Sequence, residues 1–361
     1  MKKNTKDNSK ILFTIPTLNG GGAEKVFTTY IRTLDPSICD INLLMVKQTG
    51  IFLDLIPNYV KIYDLGKKRT RYSFLKLLRY LKLIQPDLIV STSNYFNILL
   101  LFTLYFYKNN TKICLYEPSM PSAQFGNNYL PRYYLWLMKL LYRKSDYIIA
   151  QTSEMKEEIE KYYSSPKNEI IVTINPIDTK DISNKLKTTN SPYSENMVNI
   201  VVSGRIREEK GQDFLIESFS RVVNKNSIFK LHILGDVGNE EYYKNLINLI
   251  KELNMDKNIE FLGFKDNPYP YYKYADLLVL PSRWEGLPNV VLEALYLQTP
   301  VVVTNCIPFF KRFIKQDKNG IIVEFGDTKQ LSDAILNYDS LMVDKNDIPL
   351  VDMSNIFLEM I

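Results

Sequence analysis

The chain has 361 residues, 45% of them hydrophobic and 24% charged, with a formal net charge of +5. That length exceeds what one core needs and suits two domains, while the composition excludes a disordered or fibrous protein. Three scattered cysteines, Cys39, Cys114 and Cys306, and a single histidine, His232, argue against a disulfide framework and Cys/His metal sites, and fit a reducing compartment.

Charge is unevenly divided. Residues 1–180 hold 25 Lys and Arg against 15 Asp and Glu, a net of +10, and residues 181–361 hold 20 against 25, a net of −5. An anionic partner is therefore expected for the first half only.

The basic start "MKKNTKDNSK" leads into "ILFTIPTLNGGG", a strand entering a glycine loop rather than a signal-peptide cleavage site. Strand-like runs follow in order: "INLLMVK", "VKIYDL", "DLIVSTS", "KICLYEP", "YIIAQTS" and "IIVTINP", with helical periodicity at 24–34, 72–84, 128–144 and 154–163. The most apolar stretch, "YFNILLLFTLYFY" at 95–107, falls short of the roughly 20 residues a membrane span needs, so a soluble or peripheral protein is expected.

Residues 179–197 are polar, lack periodicity and read as a linker. Alternation then restarts with "VNIVVSG", "FKLHILG", "IEFLGF", "ADLLVLPS" and "PVVVTN", separated by helices at 211–224, 240–253 and 289–298, then a strand near 321–325 and a helix near 328–341. His232 sits in one of these strands and reads as a packed residue, not a base. The expected fold is α/β: two Rossmann-like open parallel-sheet domains, 1–178 and 198–343, facing each other across a cleft, with a tail at 344–361 that packs back on the first.

Three loops at strand ends carry unusual residues. "NGGGAEK" (19–25) places Gly21 and Gly22 where a backbone can approach an anion at a helix start, although a tight strand–helix turn explains them equally well. "GRIREEKG" (204–211) places Gly204, Arg205 and Lys210 above the next helix, two cations of different geometry suited to a diphosphate. A solvated turn would account for Arg207 but less well for that pair. "EGLPNVVLEAL" (285–295) sets Glu285 and Glu293 around a helix start, with Pro288 in the first turn and Asn289 able to cap it. Backbone N–H groups of Gly286, Leu287, Asn289 and Val290 would face an anion there, with carboxylates placed to accept hydroxyls. Capping alone would suffice for one glutamate.

Together these elements resemble the retaining GT-B glycosyltransferases of family 4 (group 1), which build bacterial surface glycans. "EGLPNVVLEAL" is similar to that family's EX7E motif, "GRIREEKG" to its G-R-x(4)-K-G element and "NGGGAEKV" to its GG-A-E loop. The resemblance covers nearly the whole chain. It implies a hexosyltransferase with Arg205, Lys210, Glu285 and Glu293 as catalytic residues. Gly21, Gly22, Gly204, Gly286, Leu287, Pro288, Asn289 and Val290 would bind the nucleotide sugar, a UDP-sugar. No cofactor and no metal are implied, and no Asp-x-Asp cluster is present. The implied partners are the donor, a polyprenyl-diphosphate-linked saccharide acceptor and an anionic membrane surface, and no nucleic acid.

Two stretches depart from the family. No histidine stands at the acceptor side of the first domain, and Glu117 in "CLYEPSMPS" is the acceptor-side candidate instead. After "PVVVTN", an aromatic and basic "CIPFFKRFI" replaces the family's small-residue loop. Alternatives of other kinds are a silent glycan- or transferase-binding subunit, a same-fold epimerase and a nucleotide-dependent oxidoreductase. The last lacks its GxGxxG fingerprint. Finally, residues 61–82 hold eight Lys and Arg against one acid, and "YLPRYYLWLMKLLYRK" (129–144) mixes aromatic with basic residues. Taken alone, the first stretch fits an ordinary outer helix as well as a bilayer-bound one, but the two together, in the half expected to face the acceptor, point to helices lying on an anionic bilayer at the cytoplasmic face.

Overall fold

The computed structural model describes residues 9–67, 69–126, 131–163, 169–344, 348, 351 and 354–361. The chain divides into two compact units, Met1–Pro176 with Leu350–Ile361, and Ile177–Pro349.

The first unit holds seven parallel strands, β1 (Ser9–Ile15), β2 (Cys39–Met45), β3 (Lys61–Asp64), β4 (Leu88–Thr92), β5 (Lys112–Tyr116), β6 (Tyr147–Ala150) and β7 (Glu169–Val172), ordered β3-β2-β1-β4-β5-β6-β7. Central strands such as β1 and β4 are apolar on both faces because helices cover each side. Those helices are α1 (Gly22–Thr33), α2 (Phe74–Ile84), α3 (Asn94–Thr103), α4 (Pro121–Gly126), α5 (Arg132–Leu141) and α6 (Ser153–Tyr163). Helix α3 takes up most of the apolar 95–107 stretch, ending at Thr103, where nearly every residue is hydrophobic and no 3.6-residue period is legible. The expected helix at 128–144 begins only at Arg132, residues 128–130 lying outside the described residues, and ends in a 3-10 turn, Tyr142–Lys144. The C-terminal helix Ser354–Glu359 belongs to this unit. Its Phe357 ring is fully buried, 5.6 Å from that of Phe13 and 5.1 Å from that of Tyr30.

The second unit holds six parallel strands, β8 (Val198–Ser203), β9 (Phe229–Leu234), β10 (Ile259–Gly263), β11 (Leu277–Leu280), β12 (Val301–Thr304) and β13 (Gly320–Val323), ordered β10-β9-β8-β11-β12-β13. Its helices are α7 (Thr179–Leu186), α8 (Gln212–Lys225), α9 (Glu240–Glu252), α10 (Tyr269–Lys273), α11 (Asn289–Tyr296) and α12 (Thr328–Leu336). Asn239 and Asp327 cap α9 and α12, each cap contributing about 1 kcal/mol.

The first part of the expected linker at 179–197 is helical, and only 187–197 lacks helix and strand. Asp178 caps α7 by accepting from the Asp181 N–H at 2.8 Å, and Ile182 is buried. Further on, the Tyr193 ring packs 4.6 Å from the His232 ring. A helix that buries so few apolar residues leaves little pattern in the sequence. His232 itself is a packed strand residue, its Nε2 3.0 Å from Asn199 Oδ1. Burial, helped by Lys230, pushes its pKa down to about 4.

Candidate active site

The strand order makes neighbours of the loops leaving the carboxyl ends of β8, β11 and β12. Two glycines allow them to close up. Gly211 has φ +66° and any Cβ there would stand 2.1 Å from the Pro281 carbonyl oxygen. Gly235, just beyond β9, has φ +140° and a Cβ would meet the Gly204 carbonyl oxygen at 2.0 Å. Only glycine fits either position. The stem of Lys210 lies along Gly204, with its Cδ and Cε 3.6 Å from where a Cβ would be.

This closure delivers Lys210 to Glu285. Lys210 Nζ donates to Glu285 Oε1 at 2.6 Å, and Ser282 Oγ donates to the same oxygen at 2.7 Å. Thr304, at the end of β12, fixes the backbone beneath by donating to the Ser282 carbonyl at 2.5 Å. The two charged side chains are 27% and 11% exposed, so the pair is largely withdrawn from water, where charge-assisted bonds are strong and a lone survivor is costly. The two cations of the expected Arg205–Lys210 clamp therefore have different surroundings. Lys210 is shared with Glu285, while Arg205 is exposed and its guanidinium has no ion-pair partner among the described residues. Cys306, first residue of the divergent loop, lies beside this pair. Burial and then the Glu285 charge push its thiol up to about 12, with Lys210 opposing.

Helix α11 corrects the expected capping. Pro288 is the N-cap residue rather than part of the first turn and offers no side-chain cap, and Asn289 is the first helical residue. Glu293 falls in the second turn and is 5% exposed. Its charge, after burial, raises the hydroxyl pKa of both Tyr269 and Tyr272. Tyr272 in turn contacts Ser203 Oγ at 2.7 Å, at the residue before Gly204. The charge of the second carboxylate therefore acts on a tyrosine that is bound to the same strand end.

One element escaped the sequence. Arg283 Nη1 and Nη2 donate to Asp213 Oδ1 and Oδ2 at 3.0 and 2.6 Å, and Nη1 also donates to the Glu208 carbonyl at 2.5 Å. The guanidinium lies 4.9 Å from the Phe325 ring centroid, and Tyr242 donates to Asp213 Oδ1 at 2.8 Å. This fork ties the loop carrying Glu285 to the loop carrying Lys210. Its only sequence signal was an arginine two residues before Glu285, with nothing to pair it with a residue 70 positions away.

The remaining candidates lie in the first unit. Gly21 is the N-cap of α1, and the Glu24 carboxylate of the same helix already accepts its N–H. A Cβ on Gly22 would meet only open space, and the left-handed backbone belongs to Gly20, at φ 105°. Glu117 stands at the end of β5 but is 0% exposed, so it presents no surface to an acceptor. Gln124 and Tyr163 donate to its Oε2 at 3.5 and 3.4 Å. Burial pushes its pKa up to about 7, against the pull of hydrogen bonds from Tyr142, Gln124 and Tyr163. No group of three or more His, Cys, Asp or Glu side chains able to hold a metal is present among the described residues.

Family profiles match both units: one described as Glycosyltransferase Family 4 over residues 20–181, and one described as Glycosyl transferases group 1 over residues 186–340. An uncharacterized glycosyltransferase of Methanocaldococcus jannaschii is 36% identical over 251 residues, 66% of this chain and 59% of that one. The chain thus spans less than two thirds of that relative's length. An N-acetylgalactosamine-N,N'-diacetylbacillosaminyl-diphospho-undecaprenol 4-alpha-N-acetylgalactosaminyltransferase of Campylobacter jejuni is 27% identical, with 86% of this chain and 84% of that one covered. Among solved structures, Anabaena HepE in complex with UDP and glucose superposes with a TM-score of 0.73 at 18% identity, over 91% of this chain and 89% of that one.

Proposed function

Because the chain belongs to the group 1 glycosyltransferases of the GT-B type, we propose that it moves a hexose or N-acetylhexosamine from a UDP-sugar to a polyprenyl-diphosphate-linked saccharide in surface-glycan assembly. A relative named for an undecaprenol-linked acceptor and a fold neighbour solved with UDP support the two substrate classes. The observation that carries the reading is the Lys210–Glu285 pair, held by Ser282 where two strand-end loops meet.

In the proposed reaction the bond between the sugar C1 and the diphosphate oxygen breaks, and its electron pair leaves with the nucleotide. Arg205 and Lys210 take up that charge, a preorganised electrostatic effect. Glu285 orients Lys210 and faces the donor sugar, Glu293 receives the ribose hydroxyls, and the backbone at 286–290 holds sugar and phosphate. The acceptor hydroxyl attacks C1 from the face the nucleotide leaves, giving retention, and its proton passes to the departing phosphate. With two cations in place, no divalent metal is required. A lipid-linked acceptor used with a nucleotide-sugar donor would put the proposed reaction at the cytoplasmic membrane face.

Thermal-shift measurements with UDP-, GDP- and ADP-sugars, followed by transfer assays to an undecaprenyl-diphosphate-linked saccharide, test this reading. Stabilisation by a UDP-sugar and a lengthened glycan are expected. A protein indifferent to every nucleotide sugar would be the silent subunit instead.

A further inference from the structure

Helices α2, α3 and α5 form one layer over one face of the first sheet, their Leu77, Leu81, Leu100, Met138 and Leu141 sharing one core. An outer helix normally turns polar residues to water. Here the outward stripes are apolar and aromatic too. Leu75 on α2 is 76% exposed, Trp136 on α5 is 64%, and Tyr72 and Tyr133 are each 61%. From α3 onward Tyr95, Phe102, Tyr105 and Phe106 are all about half exposed. Rings join the helices sideways: Phe74 lies 5.7 Å from Phe102 and 5.4 Å from Phe106, and Tyr95 lies 4.9 Å from Tyr134. Scattered exposed apolar residues are ordinary, but a contiguous patch marks an interaction surface.

The same layer is cationic. Residues 65–145 contain 13 Lys and Arg and two acids, Asp87 and Glu117. Glu117 is fully buried and Asp87 accepts the Lys10 N–H at 2.8 Å. Arg79 follows Leu75 on the outward stripe of α2, and Arg132 and Arg143 flank Trp136 at helical spacing, all exposed. At one end of the layer Lys82, Tyr105, Phe106 and Lys108 wall an open hollow of about 500 Å³, and the Lys144 ammonium sits 3.0 Å above the Tyr105 ring.

We propose that this three-helix layer is the surface by which the chain docks on an anionic bilayer. Trp136, Tyr133, Leu75 and Phe102 enter the boundary between headgroups and acyl chains, and Arg79, Arg132 and Arg143 meet lipid phosphates. A second copy of the chain is disfavoured as occupant because two such cationic faces repel. No described helix is long and apolar enough to cross a membrane. The inference deepens the proposed function and rests on its lipid-linked acceptor.

The test uses the full chain with phosphatidylcholine vesicles, with and without phosphatidylglycerol, at low and high salt. Binding to the anionic vesicles that weakens with salt is expected, as is quenching of tryptophan fluorescence by brominated lipid that disappears in Trp136→Phe. Arg79→Glu with Arg132→Glu, and separately Leu75→Ser with Phe102→Ser, each reduce binding by more than about tenfold. All four positions are exposed or half-exposed and lie in the first unit, so UDP-sugar stabilisation remains unchanged, while Phe102→Ser alone lowers the melting temperature slightly by losing its contacts with the Phe74 and Phe106 rings. Equal, negligible binding to both vesicle types overturns the proposal, as does quenching that survives Trp136→Phe. Variants that instead dissociate an oligomer also overturn it, making the face a contact between copies. Transfer to a detergent-dispersed acceptor, measured alongside, reports on the proposed function whatever the vesicles show.

Discussion

Arg283 and Asp213 meet in a two-pronged ion pair, with contacts of 3.0 and 2.6 Å, that joins the Glu285 loop to the first turn of α8. Against burial, which alone would raise it, Arg283 and Tyr242 hold the Asp213 carboxyl below its usual range. The pair touches neither reacting group, so Arg283 is a positioning residue. Arg283→Lys, which cannot reproduce the fork, is expected to lower kcat by about tenfold, since small misplacements of catalytic groups are expensive. Arg283→Ala is expected to do so more severely and to lower the melting temperature. Steady-state kinetics with calorimetry check this, and unchanged kcat in both variants refutes the role.

Arg205→Ala, Glu285→Ala and Glu293→Ala are each expected to lower transfer by about 10²–10³ without loss of fold, as for other contacts to a leaving group. Lys210→Ala should lose at least as much, because it also leaves Glu285 buried without its cation. Turnover by purified variants with intact circular dichroism decides the matter. Near-normal turnover by Arg205→Ala or Glu293→Ala would sink the assignment.

Gly211→Ala combines a left-handed backbone with a Cβ 2.1 Å from the Pro281 oxygen. The clash is with backbone, which cannot swing aside. A loss of about 1–3 kcal/mol of stability is expected, with activity falling alongside because the same contact seats Lys210. Denaturant unfolding and transfer assays measure both effects.

Glu117 links stability to pH. Its folded pKa of about 7 lies above the ordinary glutamate value of 4.5, so the folded state binds the extra proton between those values. The contribution is fully present below pH 4.5 and is lost as pH rises through 7, up to about 3 kcal/mol. His232, depressed to about 4, acts oppositely between about pH 4 and 6.5. Glu117→Gln should therefore gain stability relative to the parent as pH rises from 5 to 8. Parallel unfolding curves for the two proteins across that range would place the carboxyl's titration elsewhere.

Metal independence is the fifth expectation. Transfer should survive EDTA and gain little from added Mn²⁺ or Mg²⁺, since Arg205 and Lys210 supply the positive charge at the diphosphate. Activity abolished by the chelator and restored by Mn²⁺ would overturn it.

The sequence by itself determined the thirteen described strands and their division between two sheets, because short, mostly apolar runs bounded by turn residues are legible locally. It also determined the loops bearing Gly204, Arg205, Lys210 and Glu285 and the helix start that brings in Glu293, since strand-end residues stand out against a periodic background. Helices α3 and α7 were illegible for opposite reasons, one apolar all round and one burying too little. Only the tertiary structure paired Lys210 with Glu285 across 75 positions and Arg283 with Asp213 across 70. It also withdrew Glu117 into the core and aligned three helices into one aromatic, basic layer. Local pattern reports what a residue's own element requires. Which side chains meet depends on strand order and on glycines that let loops touch, and neither is written at the positions that come together.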